Sequence, residues 1–194
     1  MGMPGTAPPP VWTREMVLAL PDDGNRYELF DGELLMTPAP RARHQDAALA
    51  LVRRLDPYIR SHAIGHLGFA PADLALEGGQ LAQPDVYVVP MVSGRAPREW
   101  KEYGIPLLVI EILSPSSARH DRITKRRRYQ RTGVSEYWVV DLDARAIERW
   151  RPGDERPEVL DDVLVWRPDP EVDALLIAIP DLFAEVPDLA GGSP

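Results

Sequence analysis

Hydrophobic and polar positions along this chain fall into patterns that divide it into elements. The densest apolar run is residues 107–113, seven positions of which six are aliphatic, bounded by Pro106 and by Ser114-Pro115. Such a run between strand breakers predicts a strand buried on both faces at the centre of a sheet. Upstream, Arg26-Tyr27-Glu28-Leu29-Phe30 and Glu33-Leu34-Leu35-Met36 flank Asp31-Gly32. That pattern predicts a β-hairpin whose two central residues take positive φ. Over residues 41–62, His44, Ala48, Leu51, Leu55, Tyr58 and Ile59 recur at three- and four-residue steps, with Asp46, Arg53, Arg54 and Asp56 on the other side. This predicts an amphipathic helix with one inward stripe.

Weaker signals fill the rest. Thr13 is placed to cap a short helix through about residue 20. Residues 65–79 read as strand broken by Pro71, with Gly78-Gly79 as a turn, and Gln83-Pro84-Asp85 opens a strand running to Val89. Residues 92–103 read as a surface loop. A helix over 119–132 is closed by Gly133, with Asp121, Lys125, Arg128, Tyr129 and Thr132 on one face and Ile123 on the other. Residues 136–141 and 147–150 predict an antiparallel hairpin, followed by weaker strands at 159–166 and 175–179 and a helical turn at 180–183. The expected organisation is one domain over 13–186, between a disordered tail at 1–12 and a flexible tail at 187–194.

Composition narrows the function classes. There are no cysteines, which excludes disulfides, thiol catalysis and Cys-ligated zinc and fits a cytoplasmic protein. No apolar stretch is long enough for a transmembrane helix, so no membrane partner is expected, and residues 1–10 lack the basic start and apolar core of a secretory signal. The net charge of −8 is unevenly spread: residues 141–194 hold 14 acidic and 5 basic side chains, while 119–131 holds seven Arg or Lys against Asp121 alone. Local field decides what a groove attracts, so the basic run matters more than the total. It reads either as a solvated helix face or as a phosphate contact through Arg119, Arg122, Arg126 and Arg128.

Four residues carry candidate chemistry. Glu111 sits inside the buried run, where an ionised carboxylate requires a cationic partner or a metal. Asp85 and Glu111, at the ends of neighbouring strands, make a hard-oxygen pair suited to Mg²⁺ or Mn²⁺. Lys125 is one of two lysines against 20 arginines, which is either chance or a position that needs a compact ammonium of adjustable pKa. His44 reads either as a hydrogen-bonded histidine near a helix start or as part of a site.

Taken together, the chain resembles the Uma-two family of restriction-type endonucleases, a branch of the PD-(D/E)XK nuclease superfamily. The resemblance rests on Tyr27-Glu28-Leu29 with Asp31-Gly32-Glu33, on Pro38-Ala39-Pro40 followed by His44, and on Gln83-Pro84-Asp85. It continues through residues 109–116, Asp121 with Lys125, Tyr129, Gly133 and residues 136–141. It implies an α/β fold, a restriction-endonuclease-like mixed sheet flanked by helices with extra β-hairpins, and Asp85 and Glu111 as metal ligands. Leu113 stands where the superfamily pattern has lysine, and the resemblance implies that Lys125 on the following helix takes that role. Glu28, Glu33, His44, Gln83, Asp121 and Tyr129 are expected around the metal, with Glu28 or Glu33 as a further carboxylate.

The function expected is a Mg²⁺- or Mn²⁺-dependent endonuclease that hydrolyses DNA, with Asp85 and Glu111 on the metal and Lys125 assisting the water. By analogy with nucleases that cut two strands, a homodimer is expected, with the hairpins and acidic C-terminal part at its interface. Two other readings stand beside it: a catalytically silent nuclease-like interaction module, and a metal-dependent phosphodiesterase acting on RNA or nucleotides.

Overall fold

The computed structural model describes residues 11–99 and 102–187. A short helix α1 (Arg14–Leu18) leads into the hairpin β1 (Arg26–Phe30) and β2 (Glu33–Thr37), then the long helix α2 (Ala42–Ser61). Strands β3 (Gly65–Phe69), β4 (Leu74–Leu76), β5 (Gln80–Ala82), β6 (Val86–Pro90) and β7 (Leu108–Ile112) follow. The next helical segment is α3 (Ala118–His120), a π-helical turn (Asp121–Lys125) and α4 (Arg126–Arg131). The chain closes with β8 (Glu136–Asp141), β9 (Ala146–Trp150), β10 (Glu158–Leu160), β11 (Val163–Trp166), β12 (Leu175–Ala178) and α5 (Ile179–Ala184).

The architecture is mixed α/β. A six-stranded sheet runs in the order β10-β9-β8-β7-β6-β3, a four-stranded sheet in the order β2-β1-β5-β4, and β11 pairs β12. Within the large sheet β7 and β8 are parallel, and the other pairings are antiparallel. All of β7 is buried and it lies between β6 and β8, as its unbroken apolar run dictates.

Side-chain parity sends the two faces of this sheet to different cores. Val86, Val88, Leu108, Ile110, Trp138 and Val140 face α2, α5 and the β11–β12 ribbon. Tyr87, Val89, Val109, Tyr137 and Val139 pack with Phe30, Leu35 and Tyr129 from the smaller sheet and α4. Leu51 and Leu55 of α2 are fully buried in the first core, and truncating such a residue to alanine costs about 2–5 kcal/mol. Edge-on Trp138 and Trp166, 6.0 Å apart, tie the ribbon to the sheet.

Local chemistry explains most element ends. Thr13 Oγ1 accepts from Met16 N at 3.4 Å and starts α1, which stops two residues short of the expected end. Asp31 and Gly32 adopt φ of 52° and 81°, the paired positive values of the expected hairpin turn. Gly133, φ 81°, ends the helical segment. Two details differ from the sequence pattern. The expected strand at 159–166 is two, β10 and β11, because Asp161-Asp162 interrupts it and β11 leaves the large sheet to pair with β12. The expected helix over 119–132 is α-helical only at its ends, with the π turn between them. Of the expected tails, residues 1–10 and 188–194 lie outside the described residues, while Trp12 N donates to Gly32 O at 2.9 Å. Among the described residues no helix is long and apolar enough to cross a membrane.

Candidate active site

The register of the large sheet sets the two central carboxylates side by side. Strands β6 and β7 pair with Val86 opposite Ile110, so one further step sets Asp85 opposite Glu111. Directly opposed residues project to one face, here the one shared with Tyr87 and Val109. On the covering layer, Arg26 and Glu28 are two apart in β1 and therefore also project together.

Asp85 is held by cations and an N–H. Its Oδ1 accepts from Arg26 Nη1 at 2.6 Å, and its Oδ2 accepts from Ile112 N at 2.8 Å. His44 Nε2 lies 3.0 Å from the same Oδ2. Burial pushes the Asp85 carboxyl up, but the hydrogen bond and charge of His44, then Arg26 and the Ile112 N–H, outweigh it and hold it down at about 2.

Glu111 has a different environment. Lys125 Nζ lies 2.7 Å from Glu28 Oε2, 3.1 Å from Glu111 Oε1 and 3.1 Å from Asp121 Oδ1. The Tyr129 hydroxyl donates to Glu111 Oε1 at 3.2 Å, and Gln83 N donates to Glu28 Oε1 at 2.8 Å. One ammonium thus serves three carboxylates, all buried. Burial drives the Glu111 carboxyl well above its ordinary range; Lys125 opposes this, and Asp121, Glu28 and Asp85 reinforce it. Asp121 is raised for the same leading reason. For Lys125, burial favours the neutral amine, but Glu111, Glu28 and Asp121 prevail and keep the ammonium.

The π turn positions this lysine. Asp121 and Lys125 are both buried within it, Tyr129 follows in α4, and Ile123 is exposed on the outer side. The Tyr137 hydroxyl of β8 donates to Asp121 O at 3.0 Å and ties the turn to the sheet.

Among the expected site residues, Asp85, Glu111, Lys125, Glu28, His44, Asp121 and Tyr129 therefore come together. Gln83 joins through its main chain, while its Nε2 bonds Asp73 Oδ1 at 2.7 Å. Glu33 is exposed and sits on the wall of a 170 Å³ recess shared with Ser117, His120 and Lys125. Of the four arginines expected to bind phosphate, Arg119 is exposed. The other three are engaged within the protein. Arg122 pairs with Asp141 and Glu148 at 2.8 and 2.7 Å. Arg126 bonds Gln130 and lies over the Trp150 ring, and Arg128 bonds Asp31 and Glu77 O. Arg26 is the residue that sequence reasoning missed. Its signal was its spacing two before Glu28 in a predicted strand.

The donor chemistry suits a hard divalent cation. Four buried carboxylates, Glu28, Asp85, Glu111 and Asp121, share two permanently cationic side chains, Arg26 and Lys125. When all four are ionised they outnumber these two cations, and all donors are oxygens, the set that Mg²⁺ or Mn²⁺ takes. Among the described residues no three acidic or histidine side chains form a ready-made metal cluster, and Lys125 Nζ fills the point where Glu28, Glu111 and Asp121 converge. On the other side of the site, Arg26, His44 and Asp85 form the polar end of a larger cavity of about 430 Å³.

Comparison with known proteins bears on the fold and the family. No curated protein matches the chain. Among solved structures it is similar to the crystal structure of a putative nuclease belonging to DUF820 from Anabaena variabilis ATCC 29413. The identity is 23%, the TM-score is 0.73, and the match covers 90% of this chain and 99% of that one. At that identity the likeness establishes the fold. The sequence itself matches the Uma2 family, described as "Putative restriction endonuclease", over residues 14–186. With a nuclease-like fold and paired strand-end carboxylates already in place, a match over nearly the whole chain means that this protein belongs to the Uma2 family.

Proposed function

We propose that the chain is a divalent-metal-dependent endonuclease that hydrolyses DNA phosphodiester bonds. The observation that carries this reading is the buried negative surplus around Asp85 and Glu111, inside a family and fold of nucleases. Asp85 and Glu111 would hold Mg²⁺ or Mn²⁺. The bound ion would supply a water of lowered pKa and neutralise charge on the phosphate.

The chain's own residues account for the rest. Arg26 and His44 keep Asp85 ionised and oriented, so its charge persists across the physiological pH range. Glu28 and Asp121 anchor the Lys125 ammonium within 3.1 Å of Glu111. On this reading Lys125 would hold the attacking water or the phosphate oxygen on which charge develops. Exposed Arg119, at the start of the helical segment, is a candidate of the basic run for a phosphate contact. Cutting of both strands by a homodimer belongs to the same reading, and sedimentation at cleavage concentrations tests it.

The deciding experiment is magnesium and manganese titration by calorimetry on the wild type and Asp85→Ala, paired with cleavage of plasmid DNA. Binding and cleavage by the wild type, both lost in the variant, are expected. Cleavage retained by folded Asp85→Ala or Glu111→Ala overturns the assignment. One observation favours a second reading, a silent nuclease-like module: Arg26 and Lys125 already pair with the carboxylates. That reading expects no metal binding even with a DNA duplex present.

A further inference from the structure

The cavity beside Asp85 has a shape and lining that phosphodiester chemistry alone does not use. Its volume is about 430 Å³, within the range of sites that enclose a small organic group. One end is polar, built from Arg26, His44 and Asp85, and therefore continuous with the candidate active site. Its walls are mostly apolar, with Pro40, Ala48, Leu49, Val52, Phe69 and Pro71 beside the polar Gln45 and Asp46 of α2. Two of these carry their apolar surface in the open: Phe69 is 60% exposed and Leu49 48% exposed. Of the side chains at that end, His44 Nδ1 and Arg26 Nε are buried and have no hydrogen-bond partner among the described residues. Buried nitrogens of this kind ordinarily find one.

On the nuclease reading, a substrate reaching from the site into this cavity would join a phosphate near Asp85 to a compact body with apolar faces and polar edges. In nucleic acid that body is a base, and it reaches such a cavity only when it has left the stack. We propose that the cavity receives an unstacked base of the nucleotide next to the phosphate at Asp85, so that the substrate is nucleic acid carrying an unpaired nucleotide. This inference rests on the nuclease reading above. Phe69 and Leu49 supply the stacking surface at the rim, and the polar end meets the edge of the base.

The test measures binding of the full chain, with calcium in place of magnesium, to three probes of equal length. They are a mixed-sequence single strand, the same strand made wholly abasic, and the corresponding duplex. The wild type is expected to bind the mixed-sequence strand about tenfold more tightly than the abasic strand, the size of one base–aromatic stack. The duplex should also bind more weakly than the mixed-sequence strand, because its base must first be extruded. Phe69→Ala and Leu49→Ser, both at exposed positions, are expected to abolish the preference and leave abasic affinity unchanged. Equal wild-type affinity for the mixed-sequence and abasic strands would overturn the base cavity and leave the nuclease reading standing. A preference that survives in both variants also overturns it. Failure to bind any of the three probes removes both readings.

Discussion

The two halves of the candidate site use the same residue types to opposite electrostatic ends. Around Asp85, one carboxylate receives an arginine, a histidine and a backbone N–H, and its pKa is depressed. Around Glu111, three carboxylates share one lysine, and the pKa of Glu111 is raised. The difference teaches that the same residue types hold one carboxylate ionised and favour the protonated form of another. A proton relieves the crowding around Glu111 at low pH, and added positive charge would relieve it at higher pH.

The largest test of this asymmetry removes the shared cation. Lys125→Met leaves three buried carboxylates uncompensated and should lower stability by about 3–5 kcal/mol in urea titrations at neutral pH, with cleavage lost. The loss should shrink at pH 5, where Glu111 and Asp121, both raised by burial, take up protons more readily. An equal loss at both pH values would show that Lys125 matters by packing instead of charge.

A paired comparison comes next. Asp85→Asn weakens the contacts of Arg26 and His44 and should cost roughly 2–3 kcal/mol, the scale of hydrogen bonds to charged groups. Glu111→Gln removes one charge from the surplus and should leave the metal-free protein as stable as the wild type or more so at pH 8. Both variants should fail to cut DNA. Destabilisation of equal size in chelator would break the contrast between the two halves.

The pH profile of the wild type tests the same contrast without mutation. Asp85 has its folded pKa depressed from 3.8 to about 2, so its contribution is present above pH 4 and lost as pH falls through about 2. That contribution is on the order of 2 kcal/mol. Glu111 has its folded pKa raised above 4.5, so its contribution is present below that value and lost as pH rises through the raised one. In chelator, the melting temperature should therefore peak on the acid side of neutrality, and magnesium should raise it most at high pH. A metal-free melting temperature that climbs from pH 5 to 8 would contradict the surplus.

The smallest expected effect is Tyr129→Phe. It deletes one donor to Glu111 Oε1 and should cost about 1 kcal/mol by thermal denaturation.

Much of this site was legible in the sequence because its chemistry is unusual for its position. A carboxylate within an aliphatic run and one lysine in an arginine-rich stretch are visible without coordinates, and Asp85, Glu111 and Lys125 do meet. The choice between Glu28 and Glu33 was not legible. Both project from the same face of one hairpin, Glu28 opposite Leu35 and Glu33 opposite Phe30, and which of them lies over the central carboxylates depends on how the two sheets pack. Arg26 was hidden for the same reason, since its partner is 59 residues away. The intramolecular partners of the basic run were hidden in a related way. Arg122 and Arg128 find carboxylates on distant strands and turns, and no local pattern could assign those partners. The fold followed closely from apolar periodicity, and the one strand that divided did so where two adjacent aspartates broke an otherwise continuous run.

The π turn gives the lysine an address unlike that of its carboxylates. Asp85 and Glu111 are located by strand parity, so a shift of one residue would turn either of them to the opposite face. Lys125 is located by helical phase. Removing one residue from Asp121–Lys125 would turn everything beyond it by roughly 100°, about one residue's share of an α-helical turn. The length of that turn is therefore as much a part of the site as any side chain in it. Substitutions along its outer edge, such as at exposed Ile123, leave the phase intact, whereas a one-residue deletion would carry Lys125 away from Glu111 while changing no residue of the site.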